Sequence, residues 1–209
     1  MFSFPSTLYP ITDVKVSGLS HAEQVARLID GGATLIQLRE KRLSPHDFFR
    51  DAAEALNIAR FHGVQIIIND RVDIALALRA DGVHLGQNDL SPEAARKLLG
   101  KTAVIGYSVH NAAQARAAVG MPIDYLGIGP VFPTITKENP DPVIGLAGLH
   151  EAREIAKQIP LVAIGGITPD NVSKVLQAGV DAVAVISALL GGSLGITART
   201  QDFLSRSSR

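Results

Sequence analysis

The chain contains no cysteine. Disulfides, cysteine-based zinc sites and a cysteine nucleophile are therefore excluded, and a reducing compartment suits the sequence. It also lacks an excess of either charge: 20 Lys and Arg balance 20 Asp and Glu over 209 residues. No bulk electrostatic footprint for nucleic acid or a membrane surface is present. No apolar run approaches the roughly 18 residues a membrane span requires. The opening residues, MFSFPSTLYPITD, have neither the basic start nor the long apolar core of a signal peptide, so a cytoplasmic protein without a leader is expected. Linkers, low-complexity segments and shifts of composition are missing as well. With 46% hydrophobic residues, enough for a sizeable core, residues 1–209 are expected to form a single domain.

What the sequence does have is alternation. Short apolar runs at 8–11, 34–38, 64–68, 82–85, 103–106, 125–128, 161–164 and 182–186 read as strands. Amphipathic stretches separate them, several with clear start signals. Ser20 is a cap for a helix to Asp30, with Gly31 as its stop. Ser44-Pro45 opens a helix to about His62, and Ser91-Pro92 opens one to Leu99. Further helices are expected over 72–79, from Asn111 to about Val119, over 146–158, from Thr168 to near Gly179, and in the tail. Strands alternating with helices argue for an α/β fold with a parallel sheet. About eight such units in a chain of this length match a compact (β/α)8 TIM barrel, with an open doubly wound sheet as the runner-up.

In a barrel, chemistry gathers at the carboxyl ends of the strands. The second strand ends Gln37-Leu38-Arg39-Glu40-Lys41, where alternation puts Gln37, Arg39 and Lys41 on one side. An amide and two cations suit a polyanion such as pyrophosphate, though a solvated strand end with a salt-bridged Glu40 fits equally. The third strand ends Asn69-Asp70, and Asp89 follows the fourth. Taken singly, Asp70 reads as a cap for the helix at Val72 and Asp89 as a turn residue. Taken together, beside a basic triplet, they read as ligands for a hard cation such as Mg²⁺. His84 reads as a core histidine. Ser108, beyond the fifth strand, is a donor to a substrate oxygen; with His110 it lacks the third group that would make a nucleophile–base pair. Thr134, Thr136 and Lys137 follow a Gly/Pro-shaped turn and read as an anion-binding loop with a lid character. Gly165-Gly166 and Ile186-Ser187, each directly before a helix, read as a phosphate site. The whole describes two anionic groups bound side by side, with no central general base.

The segments LYPITD, IQLREK, IIINDR, GVHLGQND, DYLGIGPVFPTITK, VAIGGITPDN and AVISAL together resemble the thiamine-phosphate synthase (thiamine-phosphate pyrophosphorylase) family over nearly the whole chain. The resemblance implies a barrel enzyme, a transferase, that joins 4-amino-2-methyl-5-hydroxymethylpyrimidine diphosphate to 4-methyl-5-(2-phosphoethyl)thiazole or its carboxylated form. It puts the pyrimidine diphosphate on Gln37, Arg39, Lys41, Asn69, Ser108 and Lys137, and Mg²⁺ on Asp70 and Asp89. It puts the thiazole phosphate on Thr134, Thr136, Gly166, Ile186 and Ser187. It gives Arg39, Lys41 and Lys137 the catalytic task of stabilising the departing pyrophosphate. The partners it implies are small molecules only, and it leaves open whether copies assemble. GYSVHN is shared in character with thiazole tautomerase relatives, which lack the full pyrophosphate set. An aldose–ketose or epimerase type of barrel accounts for Gly166 and Ser187 but not for QLREK or PTITK. A regulatory barrel that only binds thiazole phosphate leaves the paired acids without a role.

Overall fold

The computed structural model describes residues 2–134, 136, 141–191 and 195–207. Among them, eight parallel strands close a barrel in sequence order: β1 (Leu8–Thr12), β2 (Leu35–Leu38), β3 (Gln65–Asn69), β4 (Gly82–Leu85), β5 (Val104–Val109), β6 (Tyr125–Ile128), β7 (Leu161–Ile164) and β8 (Ala182–Val185). The last strand returns to the first through Leu8↔Val183, Tyr9↔Ala184 and Pro10↔Val185. The helices are α1 (Val14–Ser17), α2 (His21–Asp30), α3 (Pro45–Phe61), α4 (Val72–Leu78), α5 (Pro92–Leu99), α6 (Ala112–Ala118), α7 (Gly145–Ala156), α8 (Val172–Gln177), α9 (Ser187–Leu190) and α10 (Ile196–Ser207). The expected (β/α)8 barrel is the fold.

The unbroken apolar runs follow from burial on both faces. Ile66, Ile67 and Ile68 are each 1% exposed or less. Ile66 and Ile68 join the layer between barrel and helices, while Ile67 joins Tyr9, Leu35, Val104, Tyr125 and Val162 inside the barrel. Each such burial is worth roughly 1.5–3 kcal/mol. Helix starts are set where capping residues stand. Ser20 accepts from Glu23 N–H, and the Glu23 side chain accepts from Ser20 N–H in return; Ser44 accepts from Asp47 N–H, and Asn111 from Gln114 N–H.

Three expectations are corrected. β5 runs on to Val109, because Ser108 and Val109 still pair with Gly127 and Ile128 of β6; Ser108 is inside the strand, not beyond it. The helix expected from Thr168 begins at Val172, since the Asn171 side chain closes a turn by accepting from Thr168 N–H at 2.9 Å and donating to Gly166 C=O at 3.0 Å. Asp70 does not cap α4: Arg71 holds the cap position, without a side-chain cap bond, and Asp70 turns aside at φ 60°. The short α1, capped by Asp13, is an element that the periodicity did not announce.

The amino-terminal rim is held by carboxylates. Asp81, Asp124 and Asp181 stand just before β4, β6 and β8. Each accepts from the N–H near the start of the preceding strand: Ile66, Ile105 and Leu161, all at 2.8 Å. Those N–H groups have no ladder partner there, and leaving them buried without an acceptor is costly. Arginines secure two of the carboxylates, Arg96 on Asp124 at 2.5 Å and Arg153 on Asp181 at 3.1 Å. At the opposite rim, Glu40 closes the turn after β2. It accepts from Lys41, Arg42 and Leu43 N–H at 2.7, 2.5 and 3.0 Å, and its other oxygen lies 3.2 Å from His21 Nε2. Among the described residues, no helix is long and apolar enough to cross a membrane.

Replacing Asp124 with Ala should cost about 1.5–3 kcal/mol, the range for hydrogen bonds to a charged group, in urea unfolding; an unaltered midpoint would contradict the rim's role. Glu40 supplies a pH signature. Burial alone would raise its pKa, but the turn N–H groups and His21 outweigh burial and hold it below the usual 4.5. On acidification the unfolded chain therefore takes up this proton first. The stability that wild type holds over Glu40→Gln should be full above pH 4.5 and shrink as the pH falls through the lower folded value. A melting-temperature difference that stays constant well below 4.5 would exclude this.

Candidate active site

The carboxyl ends of the strands open into a cavity of about 760 Å³. Gln37, Arg39 and Lys41 line it from the end of β2, Asn69 and Asp70 from β3, Asp89 from the turn after β4 and Ser108 from β5. Thr134, Thr136, Gly166, Ile186 and Ser187 line its other side. Lys137 lies outside the described residues. The residues singled out from strand ends thus face one space, although they span the chain from β2 to β8.

One flank is acidic and basic at once. Lys41 Nζ is ion-paired with Asp70 Oδ2. Arg39 is held from behind by Asp13 at 2.5 Å. Asp89 accepts from Gly86 N–H at 2.7 Å, so the turn reading holds for it as well. Burial first, and then the adjacent Asp70 carboxyl, raise the Asp89 pKa, against the opposing effects of Gly86 N–H and Lys41. The Asp70 carboxyl adjoins that of Asp89, and two like charges this close disfavour each other. A hard cation with few protein ligands, completed by water and substrate oxygens, fits such a pair. A protein-built cage does not: the described residues contain no group of three or more His, Cys, Asp or Glu suited to a metal.

The other flank is backbone. Gly165 and Gly166 have φ of 102° and 66°, a region L side chains avoid. Space forbids a side chain there as well. A Cβ at Gly166 would meet Phe132 Cβ at 2.6 Å and Pro133 O at 2.7 Å, and one at Gly165 would meet Pro130 Cα at 2.6 Å. The end of β7 therefore passes tightly beneath the loop after β6. Val131 and Phe132 N–H donate to Ile164 and Gly165 C=O at 2.9 and 3.0 Å, fixing that loop. Thr136 N–H donates to Thr134 Oγ1 at 3.4 Å, and Ser187 opens α9.

The floor is polar in an otherwise apolar barrel. His84 Nε2 is 2.8 Å from Ser108 Oγ, and His84 Nδ1 is 2.9 Å from Tyr125 Oη. Tyr125 Oη is 3.0 Å from Tyr9 Oη, which accepts from Gln37 Nε2 at 3.0 Å. Gly106 makes the room: a Cβ there would lie 2.1 Å from Tyr125 Cζ and 2.5 Å from His84 Nδ1. Burial pushes the His84 pKa down to about 4, against the pull of Asp89. At neutral pH the imidazole is uncharged, with both nitrogens engaged, and is a poor proton acceptor. His110 pairs elsewhere, with Gly129 C=O at 2.9 Å and Asp141 at 3.5 Å, so Ser108 and His110 are not partners.

Tyr9, Asp13 and Tyr125 also belong to this site, and His84 has a place in it beyond core filling. The tyrosines sit in strands as hydrophobic as the rest, and nothing in their spacing marks the hydroxyls. Asp13 follows the first strand and is found by the same strand-end rule that points to Asp70 and Asp89.

The family model described as "Thiamine monophosphate synthase" matches residues 8–189. A thiamine-phosphate synthase of Clostridium novyi is 51% identical over 184 residues, covering 88% of this chain and 90% of that protein. One of Methanoregula boonei is 46% identical over 200 residues, covering 95% and 92%. Among solved structures, a thiamine phosphate pyrophosphorylase from Pyrococcus furiosus aligns with a TM-score of 0.87 at 38% identity, covering 96% of this chain and 95% of that one. The barrel, its cavity and a family match over most of its length lead to one conclusion: the chain belongs to the thiamine monophosphate synthase family.

Proposed function

We propose that the chain is a transferase of thiamine biosynthesis. It condenses 4-amino-2-methyl-5-hydroxymethylpyrimidine diphosphate with 4-methyl-5-(2-phosphoethyl)thiazole, or its carboxylated form, to thiamine phosphate and pyrophosphate. Carbon dioxide is a further product of the carboxylated thiazole. Family membership supports the activity. The observation that carries the mechanism is a site rich in acids and cations on one flank, with no free histidine base at its centre among the described residues. An isomerase or epimerase needs such a base; expulsion of pyrophosphate does not.

In this reading the bond from the pyrimidine methylene carbon to the diphosphate oxygen breaks first, and its electron pair leaves with pyrophosphate. The thiazole nitrogen then donates its own pair to the resulting cation. Asp70 and Asp89 would hold Mg²⁺, which when bound neutralises charge on the leaving group. Lys41, ion-paired with Asp70 in the protein alone, would meet the pyrophosphate together with Arg39 and Lys137. Asp13 keeps the Arg39 guanidinium at the rim. Gln37, Asn69 and Ser108 would bind the pyrimidine diphosphate. Thr134, Thr136, Gly166, Ile186 and Ser187 would take the thiazole phosphate. The apolar barrel wall keeps water from the cation. With this activity go a cytoplasmic location and small-molecule partners, without nucleic acid or membrane.

Mixing both substrates should release pyrophosphate only when Mg²⁺ and a thiazole phosphate are present; no product with either thiazole form would defeat the proposal. Asp70→Asn and Asp89→Asn should each lower kcat/KM at limiting Mg²⁺ by about 100-fold or more. Because either change relieves like-charge repulsion, neither should lower the melting temperature. Wild-type turnover in both variants at limiting Mg²⁺ would remove the metal from the acids.

A further inference from the structure

Five polar side chains from five strands meet at the floor of the cavity: Gln37 of β2, Tyr9 of β1, Tyr125 of β6, His84 of β4 and Ser108 of β5. Four contacts of 2.8 to 3.0 Å join them in that order. Gln37, Tyr9 and Tyr125 are at most 2% exposed, so water does not compete for the inner contacts. The two ends, Gln37 and Ser108, line the cavity, as do Tyr9 and His84; Tyr125 lies beneath them.

Counting hydrogens gives this series a direction. The Gln37 amide donates to Tyr9 Oη. The single hydroxyl hydrogen of Tyr9 then serves its contact with Tyr125, and that of Tyr125 serves His84 Nδ1. A neutral imidazole carries one N–H. With Nδ1 accepting, that hydrogen is on Nε2 and is donated to Ser108 Oγ. The Ser108 hydrogen is left to point into the cavity. At the other end, donation through its nitrogen leaves the Gln37 carbonyl oxygen to face the cavity. Because every buried side-chain polar atom among the described residues is partnered, the members take one direction together, and the two ends are coupled across the barrel through Tyr9, Tyr125 and His84.

We propose that Tyr9, Tyr125 and His84 are positioning residues, forming with Gln37 a one-way hydrogen-bond relay that makes Ser108 a donor, and Gln37 an acceptor, toward the bound substrate. The relay belongs to the protein alone; its use rests on the function proposed above. An aminopyrimidine diphosphate suits its polarity. The amino group is a donor for the Gln37 carbonyl, and the ring nitrogens and phosphate oxygens are acceptors for Ser108. A ligand with the opposite arrangement would leave buried polar groups unpaired, which is how such a site discriminates.

Two measurements test this. In full-length, ligand-free protein labelled with ¹⁵N in its histidines, and with His84→Asn identifying the signal, His84 should be the Nε2–H tautomer at neutral pH. The Nδ1–H tautomer would overturn the direction of the relay. The second is a double-mutant cycle on the condensation. Tyr125→Phe keeps the ring and removes the middle hydroxyl, and should lower kcat/KM about tenfold, the equivalent of one hydrogen bond. In a Ser108→Ala background the same change should alter kcat/KM by less than about twofold, because the relay acts through that hydroxyl. Full, multiplicative losses would show a merely structural role and overturn the proposal. Tyr9→Phe gives the same reading if Tyr125→Phe does not fold. Wild-type protein that makes no thiamine phosphate would defeat the proposed function, while the tautomer would still decide the relay.

Discussion

Closure of the parallel sheet is the constraint on which the rest depends. Once β8 pairs with β1, every strand points the same way and every carboxyl end opens on one rim. Residues as distant as Gln37 and Ser187 then share one cavity. The closed wall also has no free edge. Where the ladder runs out at the amino-terminal rim, Asp81, Asp124 and Asp181 take over the unpaired N–H groups. The barrel can therefore surround a polar interior without losing its backbone bonds.

Much of this was legible in the sequence because two periodicities alternate cleanly. The runs 82–85, 125–128 and 161–164 coincide with β4, β6 and β7, since Gly, Pro and Asp bracket each one. Ser20, Ser44, Ser91 and Asn111 mark helix starts because a side-chain oxygen there satisfies an otherwise free N–H. β5 was harder. Its outer half, Tyr107-Ser108-Val109, includes a serine that faces the cavity, and a polar residue inside a strand looks like the strand's end. α1 is four residues long, too short to show a period. The strand-end rule located the cavity-lining residues, but their partners were hidden. A tyrosine reads as a core aromatic until its hydroxyl is seen to meet another, and His84 reads as a satisfied core histidine. It is one, yet the atoms that satisfy it belong to Ser108 and Tyr125.

The two rims divide the work. At the amino-terminal rim charges are matched: Arg96 with Asp124, Arg153 with Asp181. At the carboxyl rim Lys41 pairs with Asp70 and Arg39 with Asp13, yet Asp70 takes a left-handed backbone and Asp89 is disfavoured as a carboxylate by desolvation and by its neighbour. A fold selected for stability alone would remove both features. Local conflict of this kind concentrates where function requires it. Here the conflict has a specific form, two adjacent carboxyls with Lys41 paired to one of them. On the proposed function the amino-terminal rim bears stability and the carboxyl rim chemistry, so substitutions at the acids should separate activity from folding. A barrel held together at its active rim would lose both together.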